Sequence, residues 1–138
     1  MAEEFVDAAS RLDVSTLPPP TVVYFLCGHA LELAYKSVLI VRGTTDRALR
    51  KLGHDLRACV QAAVSLVNDN AVAPSDELVG VLELLAPFYS AKALEYIEPG
   101  FRRLPLPADT VRITSTSVRS IRNWVEPEVR RALRSGQA

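Results

Sequence analysis

The sequence predicts an all-α fold, an up-and-down bundle of four to five helices forming a single helical domain over residues 1–138. Three observations predict it. Apolar residues recur at helical spacing along most of the chain, and no stretch offers the apolar–polar alternation of a half-buried strand. With 138 residues, 49% of them hydrophobic, the chain has the size and apolar content for one core and not for a second.

The elements follow in order. Ala2 to Leu12 brings Phe5, Ala8, Ala9 and Leu12 to one face, with Glu3, Glu4 and Asp7 early, where they complement a helix N-terminus. Asp13 to Pro20 ends in three prolines, which cannot continue a helix but lead into the first turn of the next one. Thr21 to Arg42 is hydrophobic nearly all round, the pattern of a central helix packed on several sides. Its exceptions are Phe25, His29, Glu32 and Lys36, spaced by four, three and four, so three polar side chains fall on one stripe. Buried unpaired they would be costly, so they are expected to bond to each other or to a partner across the core. Gly28 in the interior of this helix costs about 1 kcal/mol relative to alanine, which predicts that another backbone approaches closely there.

Gly43 stands in the usual place past a helix C-terminus and is followed by a charged linker, Thr44 to Lys51. Gly53, His54 and Asp55 then open a third helix with Leu56, Cys59, Val60, Ala63, Val64 and Val67 as its apolar face. Ser75 is a good N-cap for a fourth, in which Leu78, Val81, Leu82 and Leu85 are the buried face. Pro87 should kink or break that helix, with Phe88 to Ile97 continuing in a new direction. Pro99 and Gly100 make a turn, and Phe101 to Pro107 reads as extended. Asp109 is expected to cap the last long helix, whose face is Val111, Thr114, Val118, Ile121 and Val125 and whose end Pro127 disturbs.

Charge and cysteine content restrict the function classes. Basic and acidic residues number 16 each, so the zero net charge gives no bulk attraction to nucleic acid or an anionic membrane. The distribution is uneven: from Gly100 onward eight basic and three acidic residues leave +5, against −5 for residues 1–99. That asymmetry suits an RNA, an acidic partner or a head-to-tail contact between subunits. Cys27 and Cys59 lie in apolar stretches and are too few for a disulfide framework, which fits a reducing cytoplasm. The acidic N-terminus lacks the features of a secretory signal. The longest apolar run, near Val22 to Leu33, is interrupted by His29 and Glu32, so a buried core helix is expected and a membrane span is not.

The run Gly28-His29-Ala30-Leu31-Glu32-Leu33-Ala34-x-Lys36, then Gly43, then Gly53-His54-Asp55-Leu56, resembles the HEPN superfamily (higher eukaryotes and prokaryotes nucleotide-binding domain), closest to its bacterial members with a GHxLE-type helix and a GHDL opening to the next. The likeness covers about 40 residues. It implies a four- or five-helix bundle, often a homodimer, acting on RNA, binding a nucleotide, or serving as a non-catalytic partner of a nucleotidyltransferase or antitoxin. Ribonuclease members carry an arginine followed directly by a polar residue, usually near the start of a late helix, and then a histidine after four to six intervening residues. Such a pair makes chemical sense, because histidine moves protons near neutral pH while arginine stabilises phosphate charge. This chain departs from the pattern: Arg122-Asn123 has no histidine after it, and Arg47 precedes His54 outside the late helix and is followed by Ala48.

A non-catalytic, HEPN-like module that binds RNA, a nucleotide or a protein in a defence, toxin-antitoxin or RNA-related system is therefore expected. The alternative is a metal-independent RNA endonuclease using His54, with Arg47 and His29 as further catalytic candidates. Binding candidates are His29, Glu32, Lys36, His54 and Asp55 as a polar cluster, and Arg102, Arg103, Arg119 and Arg122 as a basic groove. The histidine and carboxylate spacings match no closed zinc pattern, and phosphate-cradling glycine loops and nucleophile motifs are absent, so neither metal nor cofactor is expected.

Overall fold

In the computed structural model the residues described are 1–12, 21–90 and 106–136. Among them every regular element is a helix: α1 Ala2–Ser10, α2 Thr21–Val41, α3 Asp46–Leu52, α4 Leu56–Leu66, α5 Asp76–Ser90 and α6 Pro107–Gly136. The other elements assemble around α2, whose Val23, Tyr24, Cys27, Ala30, Leu31, Tyr35, Val38 and Leu39 are buried. Each such aliphatic side chain withdrawn from water contributes about 1.5–3 kcal/mol. By length and composition Val22–Val41 would be apolar enough to cross a membrane, but 61% of that window is buried inside the fold against its neighbours.

Contacts at both ends show that α2 and α6 run parallel. Near their starts Val111 packs against the small cluster of Ala9, Val23 and Cys27, and near the end of α2 the Arg42 guanidinium stacks 5.1 Å over the Trp124 ring and lies 3.9 Å from Glu128. Because α2 stops at Val41, the last two turns of α6 run on beyond it. The faces predicted for α4 and α5 are buried, apart from a partly exposed Val64. On α1 the buried residues are Val6 and Ala9, while Phe5 and Leu12 are half-buried and Ala8 is exposed.

The structure differs from the sequence reading at five places. Six helices are present among the described residues instead of four to five, because the charged linker contains α3. Thr45 caps α3 by accepting from the Ala48 N–H at 3.2 Å, and Arg50 and Lys51 complement its C-terminus. Pro87 does not break α5. It removes the donor that would have bonded the Glu83 carbonyl four residues earlier, and the Arg57 guanidinium donates to that carbonyl instead, at 3.3 Å. Pro127 likewise lies within α6, on an exposed face where water can take the freed carbonyl. Asp109 is in the first turn of α6 and does not cap it, since the helix starts earlier with Pro107 at its first position and the Leu106 carbonyl accepting from Thr110. At Gly28 the close neighbour is a side chain, the Tyr89 ring, not a backbone. The proposed continuation to Ile97, the Pro99–Gly100 turn and the extended run from Phe101 lie outside the described residues.

Candidate functional site

The polar stripe of α2 converges on Glu32, which is 3% exposed. Three donors meet its carboxylate. Lys36, one turn on, donates to Oε1 at 2.7 Å; His54 donates from Nδ1 to Oε2 at 3.0 Å and to Oε1 at 3.2 Å; the Tyr89 hydroxyl donates to Oε2. His29 completes the group by donating from Nδ1 to the Tyr89 oxygen at 3.0 Å. With the Tyr89 proton committed to Glu32, this network requires the Nδ1–H tautomer of His29. His54 needs the same tautomer to donate to the carboxylate, and its Nε2 is then turned away from Glu32.

Local sequence explains how each side chain arrives. Gly53 has φ +56° and ψ −132°, a conformation that glycine adopts readily, and its carbonyl accepts a second bond from Lys36 at 2.7 Å. The α3–α4 connection is thereby tied to α2 at two consecutive residues, Gly53 through Lys36 and His54 through Glu32. Asp55 then caps α4 by accepting from the Ala58 N–H at 3.1 Å. Tyr89 reaches the site from α5, its ring seated on the bare backbone of Gly28. Phe5 meets His29 edge-on at 4.5 Å, and Phe25 lies parallel to it at 6.0 Å, so aromatic rings flank the imidazole.

Burial pushes the Glu32 carboxyl up, but the hydrogen bonds from Lys36, Tyr89 and His54 outweigh it and hold the group below the usual glutamate range. Tyr89 moves the other way, raised first by burial and then by bonding to an anion. The resulting unit is an ionised carboxylate with a charged lysine, two imidazoles and a neutral phenol.

Of the residues singled out from sequence, His29, Glu32, Lys36 and His54 come together directly, while Asp55 stands beside them as a cap. Arg47 is exposed on α3, and among the described residues no arginine hydrogen-bonds to either histidine. Arg119 and Arg122 lie elsewhere, in a groove of about 530 Å³ between α1 and α6. Glu3 and Asp7 share that groove, and Arg122 is paired with Glu126 at 2.8 Å and Glu3 at 3.5 Å. Arg102 and Arg103 lie outside the described residues. Among the described residues no group of three or more His, Cys, Asp or Glu side chains is arranged to hold a metal ion.

Tyr89 is the residue that sequence reasoning missed. It lies 57 positions from Glu32 on another helix. The signal that pointed toward it was Gly28, whose missing Cβ implies a close neighbour without naming it. Comparison with protein-family models, curated proteins and solved structures returns no match.

Proposed function

We propose that this chain is a non-catalytic, HEPN-like helical module that acts by binding another protein, of the antitoxin or nucleotidyltransferase-partner kind. The observation that carries this reading is the closure of the Glu32 cluster. The lysine and the phenol are consumed within it: Lys36 by Glu32 and Gly53, Tyr89 by Glu32 and His29. A site built to stabilise a phosphorane would present cationic donors outward. The α1–α6 groove supports a protein over an RNA, because Glu3 and Asp7 interleave with Arg112, Arg119 and Arg122. Mixed charge suits a polar protein surface, whereas a phosphate backbone calls for an excess of cations.

One observation favours the second reading, a metal-independent RNA endonuclease. Glu32 orients the His54 ring as a carboxylate orients a general base, and that histidine is half exposed. Incubating the purified protein with structured and single-stranded RNA in EDTA separates the two. The module reading expects no cleavage and only weak, salt-sensitive RNA binding. Cleavage abolished by His54→Ala in a folded variant would overturn it. On the binding side, co-expression with the product of an adjacent gene should give a complex that Ser115→Arg, which fills the groove, weakens at least tenfold, roughly the cost of displacing a buried contact patch.

A further inference from the structure

Helix α1 lies in the groove between α2 and α6, antiparallel to both. Its Ala9 end packs with Val23, Cys27 and Val111 near their starts, and its Glu3 end reaches Arg122 at 3.5 Å. The groove runs on past the start of α1. Around Met1 and Ala2 it opens into a cavity of about 490 Å³ walled by Leu33 and Ser37 of α2 and by Ile121 and Val125 of α6. One turn further along each wall stand Ile40, 58% exposed, and Val129, 38% exposed, with Leu133 beyond them at 61%. Together with Met1 these are four of the ten large exposed hydrophobics among the described residues, and such clustering along one groove marks an interaction surface.

Charge indicates what kind of segment fits. The first half of the groove is filled by α1, an acidic helix with Glu3, Glu4 and Asp7 and no lysine or arginine between Ala2 and Ser10. Along the uncovered half the carboxylates of α6 are already matched, Glu126 by Arg122 at 2.8 Å and Glu128 by Arg131 at 2.8 Å. Two exposed cations are left over: Arg130, which lies within electrostatic reach of Glu126 but makes no ion pair, and Arg134, which makes none. A phosphate backbone would answer these arginines, but it has no use for the apolar line beside them. An amphipathic helix answers both.

We propose that the uncovered end of the α2–α6 groove receives an acidic, amphipathic helix of a partner protein. It continues the track of α1, with its apolar stripe on Leu33, Ile40, Val125 and Val129 and its carboxylates against Arg130 and Arg134. The contact deepens the partner-binding reading above and rests on it, adding the chemical class of the partner segment and a second surface beside the α1–α6 groove.

Fluorescence anisotropy with a labelled amphipathic peptide of about four helical turns, rich in leucine and glutamate and held helical by a lactam bridge, tests the contact. The peptide should bind the full chain, and its counterpart with lysine in place of every glutamate should bind at least about tenfold more weakly. Ile40→Asp and Val129→Asp should each weaken binding about tenfold, the equivalent of one lost aliphatic anchor, while circular dichroism confirms unchanged helicity. Val64→Asp, on α4 and outside the groove, should leave binding as it is. Failure of the acidic peptide to bind, equal binding of the two peptides, binding indifferent to Ile40→Asp, or tighter binding of single-stranded RNA at the same site would overturn the proposal. So would a native dimer that Ile40→Asp dissociates, which would give the groove to a second copy. If the peptide fails while the complex sensitive to Ser115→Arg still forms, this contact alone is wrong; if that complex is absent and RNA is cleaved, the partner-binding reading is wrong with it.

Discussion

The Tyr89 ring occupies the space that a side chain on residue 28 would need: a Cβ on Gly28 would lie 2.5 Å from ring atom Cδ2 and 2.8 Å from Cγ. These atoms are at the root of the ring and cannot swing aside. Gly28→Ala should therefore destabilise the fold by about 2 kcal/mol through overpacking, exceeding the roughly 1 kcal/mol that alanine gains in a helix. The midpoint of urea unfolding reads this directly. In a Tyr89→Val background the same alanine should be neutral or stabilising, and an unrelieved loss there would mean that the ring is not the obstacle.

The α3–α4 connection depends on Asp55. Asp55→Ala removes the acceptor for the Ala58 N–H and should lower stability by about 1 kcal/mol, whereas Asp55→Asn should lose a few tenths at most. Equal losses in the two variants would show that the charge of Asp55, and not its capping bond, is what matters.

Much of this site was legible in the sequence. Period alone placed His29, Glu32 and Lys36 on one stripe of a helix otherwise too apolar to be exposed, and the Gly53-His54-Asp55 run announced a sharp helix start with its own cap. What remained illegible was long-range. Nothing local says that Tyr89 rather than another aromatic would reach Glu32, or that Arg57 would take the carbonyl that Pro87 frees and let α5 continue. Helix α3 was hidden for a different reason: its seven residues have no buried side chain, so no apolar period marks them, and only the Thr45 cap betrays it. Asp109 misled because Pro107, two positions earlier, is as good a helix start and took precedence.

Thr114 Oγ1 is buried with no hydrogen-bond partner among the described residues; the Cys27 thiol, a weak donor, lies close enough to be influenced by it. Replacing an unsatisfied hydroxyl with a methyl of similar volume relieves a desolvation penalty of about 1–3 kcal/mol. Thr114→Val should accordingly raise the melting temperature. A fall would show that the Cys27–Thr114 contact is worth more than it looks.

Stability should fall off on both sides of neutrality. Glu32 ionises more readily in the fold than its ordinary value of 4.5, so its contribution is complete above that pH and is lost as pH falls through the lowered native value. On the alkaline side burial pushes the Cys27 and Cys59 thiols from 9.0 up to about 11. Raised native values contribute stability that is complete below pH 9 and is lost as pH rises to about 11. Buried Tyr35 and Tyr89, also raised, extend that limb. Urea midpoints at about pH 3.5, 7 and 10.5 should be highest at the middle value, and Glu32→Gln should shrink the acid-side difference.

The Glu32 cluster ties α2 to α5 and to the α3–α4 connection. Glu32→Gln leaves the Lys36 ammonium, itself largely buried, without its counter-charge, and weakens the bonds from His54 and Tyr89. The most direct test is the free energy of urea unfolding of this variant at neutral pH. A loss of about 3 kcal/mol is predicted, the scale expected when one partner of a buried ion pair is removed. Unchanged or increased stability, as is common when a residue kept for activity is replaced, would mean that the cluster does not hold the helices together.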